Sequence, residues 1–154
     1  MNQDEQSTPH PDITQHLQKE IDLIQGCISR MAHNSFMIKG WAITLVVIIW
    51  AIMGTETISI FSLLLLLLPT IMFWGLDSYF LLTERRYRSL YNWVLNERLE
   101  KDSLALAYNL NPSRFKKEAG SVLSCFFSIT LALFYGVLVI VIIGAFVLCM
   151  CMSS

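Results

Sequence analysis

The sequence predicts an all-α membrane protein: three transmembrane helices, an amphipathic helix before them, and a helical extension of the second span into water. Three observations predict this. Hydrophobic residues make up 55% of the 154 and charged residues 15%, against about 25% charged in ordinary globular proteins; mean hydropathy is +0.54. Charge is also segregated. Between Gly40 and Leu76 the one charge is Glu56, and from Val122 to Ser154 there is none. Finally, all 11 basic residues avoid the turn at 54–57 and the C-terminal tail, the two segments expected on the far side. Hydrocarbon is the solvent that such stretches suit, so a soluble enzyme with one core is excluded and the lipid bilayer is the first partner. The net charge of −1 offers no broad basic surface for phosphates, so no nucleic-acid partner is expected.

Residues 1–11 are polar, acidic and broken by Pro9 and Pro11, a flexible arm rather than a signal peptide. From 12 to 34, Ile13, Leu17, Ile21, Ile24, Ile28 and Met31 recur at steps of three and four, the stripe of an amphipathic helix with Asp12 as its N-cap. Gln15, Lys19, Glu20, Asp22 and Gln25 fall on the face expected to meet water. The helix lacks the Trp and the richness in Lys and Arg of a lipid-surface helix, so its stripe is expected to pack on protein.

The first span covers 36–53, about 27 Å of helix, with Lys39 and Trp41 near its start and Trp50 near its end. A turn at 54–57 leads to the second span, 58–76, in which Pro69 is expected to kink the helix. Past Asp77 the helical pattern continues without Gly or Pro to Lys101, so 77–120 reads as a helical region in water, with a short helix at 103–110 and a turn at 111–113. The last span, 122–152, has 31 residues without a charge, about 46 Å as a helix. One long tilted helix is expected, with two shorter pieces broken near Gly136 or Gly144, and hence four spans, as the alternative. The positive-inside rule puts the N-terminus and 77–120 in the cytoplasm and the C-terminus outside.

Motifs that carry chemistry are absent: no phosphate-binding loop, no nucleophile elbow and no zinc-protease pair of histidines. Cys27, Cys125, Cys149 and Cys151 form neither a disulfide framework nor a metal spacing. The final Cys151-Met152-Ser153-Ser154 satisfies only a loose prenylation box, and the topology puts it on the wrong side. His33 beside Asn34 reads as a solvated interfacial histidine. The spans hold no ionisable group away from their ends, which argues against a proton pump or secondary transporter. No catalytic residue, cofactor or metal is therefore expected.

The densest polar cluster is expected at the inner membrane boundary. Lys39 lies at the depth of Asp77 and can pair with it across the hairpin; Glu84 and Arg88 are spaced i, i+4 as an ion pair requires. Arg85, Arg86 and Arg88 read either as a site for an anionic ligand or acidic partner, or as a basic girdle beside anionic lipid over a clasp of helix ends. Ala132, Gly136 and Gly144 are small residues on the last span that suit helix packing within the chain or self-association. Three helices cannot enclose an aqueous lumen, so any pore would need several copies.

Two blocks at this boundary carry a resemblance. Arg30-Met31-Ala32-His33-Asn34-Ser35-Phe36 followed by Lys39-Gly40-Trp41, and Phe73-Trp74-Gly75-Leu76-Asp77-Ser78-Tyr79-Phe80-Leu81 followed by Glu84-Arg85, Tyr87-Arg88 and Leu90-Tyr91, resemble the signature of a group of small bacterial multispan membrane proteins. The resemblance covers about residues 28–95. It implies a bacterial inner-membrane location and proximity to anti-phage defence genes, including TIR-like proteins, a setting in which small multispan proteins act as membrane-perturbing effectors. Asn34, Lys39, Trp41, Trp74, Asp77, Tyr79, Glu84, Arg85 and Arg88 then form one expected polar cluster at which a cytoplasmic partner or signal is read. The expectation is a non-enzymatic effector that self-associates and permeabilises the membrane. Its rival is a passive anchor that recruits a soluble defence enzyme. An enzyme acting on lipids has no residue constellation behind it.

Overall fold

The computed structural model describes residues 11–53, 59–98 and 109–153, with side chains over 15–53, 59–96 and 109–151. The arm before Pro11, the turn at 54–57 and most of the expected helix at 103–110 lie outside the described residues. Every regular element among those residues is helical. We number the α-helices α1 (Pro11–Met53), α2 (Ile60–Trp93), α3 (Val122–Phe126) and α4 (Ile129–Ser153). α1, α2 and α4 are each long and apolar enough to cross a membrane. The alternative of two shorter pieces broken near Gly136 or Gly144 is not found: both glycines lie within α4, α3 is only five residues long, and among the described residues three helices are long and apolar enough to cross a membrane.

Pro11 opens α1, at the position where its missing N–H costs nothing. Asp12 therefore lies inside the first turn instead of capping it from outside. The amphipathic helix and the first apolar stretch are one uninterrupted helix through residues 34–36. No proline interrupts this sequence, and its continuous ladder of internal hydrogen bonds is what a helix able to cross a membrane would require. Glu20 corrects the sequence reading: expected toward water, it is only 2% exposed. It lies three residues after Leu17 and four before Ile24, so helical geometry puts it on the stripe's own face.

Ser59 caps α2. Its hydroxyl accepts the Phe61 N–H at 3.3 Å, and the Ser62 hydroxyl accepts the Ser59 N–H at 3.2 Å, a reciprocal capping box. Pro69 sits inside the helix without ending it. α2 continues directly beyond Asp77 and closes in a π-helical turn, Val94–Arg98. A 3-10 turn at Pro112–Phe115 follows the Asn111 side chain, which accepts the Ser113 N–H at 3.0 Å. Gly120 takes a left-handed φ of 83°, a conformation open to glycine at little cost.

The final apolar stretch is broken, and not at a glycine. Gly136 and Gly144 both lie within α4; the interruption is at Phe127–Ser128, where Phe127 has φ −92° and ψ 15°. The Phe126 carbonyl, which a continuing helix would keep for itself, instead accepts the Trp74 indole N–H at 3.0 Å. An aromatic donor from a neighbouring helix thus stabilises the break. It leaves 25 residues in α4, about 37 Å, closer to a bilayer core of about 30 Å than the whole apolar run would be.

α2 is the central helix, with α1 against one side of it and α3 and α4 against another. The stripe of α1 packs on the far half of α2: Ile24 is buried with Leu90, Val94 and Phe115, flanked by Leu17, Ile21, Ile28, Tyr87 and Tyr91. Ala42 joins Leu131 and Tyr135, Val46 joins Leu66 and Ile142, and Leu82 joins Ala119 and Cys125. Burial of these side chains holds the extension and the apolar bundle as a continuous body.

Candidate functional site

α1 and α2 run side by side, so residues at the same level face each other at one point where the apolar stretch of α2 ends. There Asp77 is 0% exposed. Its carboxylate would be costly in such a place without donors. It has three. The Lys39 ammonium lies 2.5 Å from Oδ2, the Ser35 hydroxyl donates to Oδ1 at 2.5 Å, and the Tyr135 hydroxyl donates to Oδ2 at 3.2 Å. Lys39 also donates to the Ser35 hydroxyl at 2.7 Å, a contact that follows from their i, i+4 spacing on α1. The Lys39 side chain keeps 18% exposure, and its Nζ lies 6.0 Å from the centroid of the Phe134 ring.

The cluster therefore draws on all three long helices: Ser35 and Lys39 from α1, Asp77 from α2 and Tyr135 from α4. Trp74, one turn before Asp77, extends it with aromatic contacts. Its ring stacks on Phe126 at 4.1 Å between centroids and on Tyr135 at 5.7 Å. Ser78 is buried and donates to the Gly75 carbonyl at 2.8 Å, which satisfies its hydroxyl within α2.

Of the nine residues that the sequence assembles into one polar cluster, Lys39, Trp74 and Asp77 meet. Asn34 is half-buried one residue before Ser35. Trp41 is 63% exposed and lines an apolar groove on the outer face of α1 with Phe36, Gly40, Thr44 and Ile48. Tyr79 is exposed, edge-on to Phe80. Glu84 and Arg88 form their own ion pair at 2.7 Å, two turns beyond Asp77. Arg88 also lines a groove of about 420 Å³ with Gln25, Ile28, Ser29, Tyr91 and Asn92, between α1 and α2.

Arg85 and Arg86 look elsewhere, toward Cys125. Burial pushes the Cys125 thiol up, and the positive charge of the two arginines opposes that more weakly. The three arginines thus divide between two surfaces because consecutive positions on a helix differ by about 100°.

Ser35 and Tyr135 belong to the cluster although the sequence did not single them out as site residues. Ser35 carried a signal in its spacing from Lys39. Tyr135 carried another, since it is the one tyrosine in the last apolar stretch and a buried tyrosine hydroxyl needs a partner.

The small residues of α4 show no close packing within the chain. Ala132 and Gly136 are half-buried and Gly144 is exposed; a Cβ built on either glycine would meet nothing within 4 Å.

Chemically, the cluster is one carboxylate surrounded by donors. It can fix three helices in register and report a change in their relative position. No group of three or more His, Cys, Asp or Glu suited to a metal occurs among the described residues. No family model, curated protein or solved structure matches the chain.

Proposed function

We propose that the protein is a non-enzymatic bacterial inner-membrane effector of anti-phage defence, with its N-terminus and the 77–120 region in the cytoplasm and its C-terminus outside. Its cytoplasmic helices receive a signal or partner, and several copies then associate and permeabilise the membrane. The resemblance of the two boundary blocks supplies the biological setting. The observation that carries the mechanism is the Ser35–Lys39–Asp77–Tyr135 cluster. It ties all three candidate spans together where the polar extension meets the apolar bundle, so displacement of the extension acts directly on the packing of the spans.

The test is expression with neighbouring defence genes while a potential-sensitive dye is followed. Depolarisation on activation, lost in Asp77→Asn, is expected. An unchanged potential under activating conditions overturns the reading.

The groove beside Arg88 and Tyr91 supports a second reading, that of an anchor holding a soluble defence enzyme. It predicts a stable co-purifying protein, no depolarisation, and loss of capture in the double variant Arg85→Glu, Arg88→Glu. Capture retained by that variant counts against it.

A further inference from the structure

The cations of the described residues differ in how they are compensated. Lys39 is paired with Asp77 and Arg88 with Glu84, while the Arg114 guanidinium lies 4.9 Å from the centroid of the Trp93 ring. Arg85 and Arg86 form no ion pair or hydrogen bond with the described residues, although both side chains are half-buried. Nε of Arg86 is buried and meets no acceptor there. A buried guanidinium N–H without an acceptor is costly, and its planar fork matches the bidentate geometry of a phosphate or a carboxylate.

More positive charge passes beside the pair. Phe115 is packed with Leu90 and Val94, and Ala119 with Leu82, so the exposed Lys116 and Lys117 are carried past the stretch of α2 that holds Arg85 and Arg86. Glu118 is the one acidic residue on this segment, leaving the four cations with a net excess of positive charge. Immediately afterwards Leu123 and Phe127 are each 70% exposed. Basic groups bordered by exposed apolar side chains match a headgroup and its acyl chains, whereas free phosphate has nothing to place against Leu123 and Phe127.

We infer that Arg85 and Arg86, assisted by Lys116 and Lys117, hold the phosphate of an anionic phospholipid whose chains lie over Leu123 and Phe127. The inference rests on the membrane placement proposed above, not on permeabilisation.

The full chain in neutral detergent, mixed with dioctanoyl phosphatidylglycerol, dioctanoyl phosphatidylcholine or inorganic phosphate, gives the test by native mass spectrometry. Retention of phosphatidylglycerol alone is expected. It should weaken about tenfold or more in Arg85→Gln, Arg86→Gln and in Lys116→Gln, Lys117→Gln, and remain unchanged in Arg88→Gln. Equal retention of phosphatidylcholine, displacement of the lipid by equimolar inorganic phosphate, undiminished binding in both double variants, or an equal loss in Arg88→Gln overturns the site. Carbonate extraction of cell membranes reads the placement separately: a chain that washes off defeats the membrane reading, whatever the lipid titration gives.

Discussion

Replacing Lys39 by Met or Asp77 by Asn removes one charge from the three-helix cluster while nearly conserving volume, so neither opens a large cavity. In Asp77→Asn the ammonium loses its counter-charge but retains a partial outlet to water through its 18% exposure. In Lys39→Met the carboxylate stays fully enclosed, with only the Ser35 and Tyr135 hydroxyls to support it. Leaving one buried charge without its partner costs about 3–5 kcal/mol, and Asp77→Asn should fall at the lower end because Lys39 can turn outward. The double variant carries no stranded charge. It should lose less than the sum of the two, giving a coupling energy of at least about 2 kcal/mol, within the range seen for contacting residues. Unfolding of the purified chain in mixed micelles of increasing dodecyl sulfate content, followed by tryptophan fluorescence, measures all four corners of the cycle. Single changes below about 1 kcal/mol, or a double variant that loses the full sum, would refute the claim that the pair acts as a desolvated unit.

Two further outcomes follow from local geometry. Trp74→Phe keeps an aromatic ring against Phe126 but deletes the indole donor to the Phe126 carbonyl; it should cost about 1 kcal/mol and raise amide exchange at residues 127–130 in hydrogen–deuterium exchange, and exchange no faster than in the parent would show that the break at Phe127 does not depend on that bond. Cysteine labelling reads both burial and orientation. The raised Cys125 thiol stays protonated at neutral pH and gains thiolate only as pH rises through its elevated pKa, so maleimide should modify it only after denaturation; exposed Cys151 should react with an impermeant reagent in intact cells, and Cys27 only after lysis, with early labelling of Cys27 contradicting the proposed orientation.

Much of the architecture was legible because charge and apolar character are laid out along the chain. The long gaps between charges mark the three apolar helices, and the repeat from Leu17 to Ile28 marks the face that packs on α2. The Lys39–Asp77 pair was legible too, since both residues sit at the same end of adjacent apolar stretches joined by a short connection.

What the sequence left hidden depends on the third helix. Tyr135 reaches Asp77 only because α4 has a particular register against α2, and an apolar helix with nearly uniform faces does not encode that register by periodicity. The interruption at Phe127–Ser128 has no Gly or Pro to announce it; it depends on an indole 52 residues away in the chain. Trp41 and Tyr79 share their depth with the cluster but lie on other sides of their helices, so depth alone grouped residues that rotation separates.

The unbroken α1 has a mechanical consequence. Its 43 residues make a rod about 64 Å long, gripped near Ser35 and Lys39. About 36 Å lies on the N-terminal side of that grip and about 21 Å on the other. Because Ile24 is packed on Leu90 and Val94 on one side of that grip and Val46 on Leu66 on the other, a sideways push on the long arm is resisted by α2 along its length and moves the two helices together. A modest tug on the long arm would thereby be passed toward Met53 by the paired helices, with no break in α1 to absorb it.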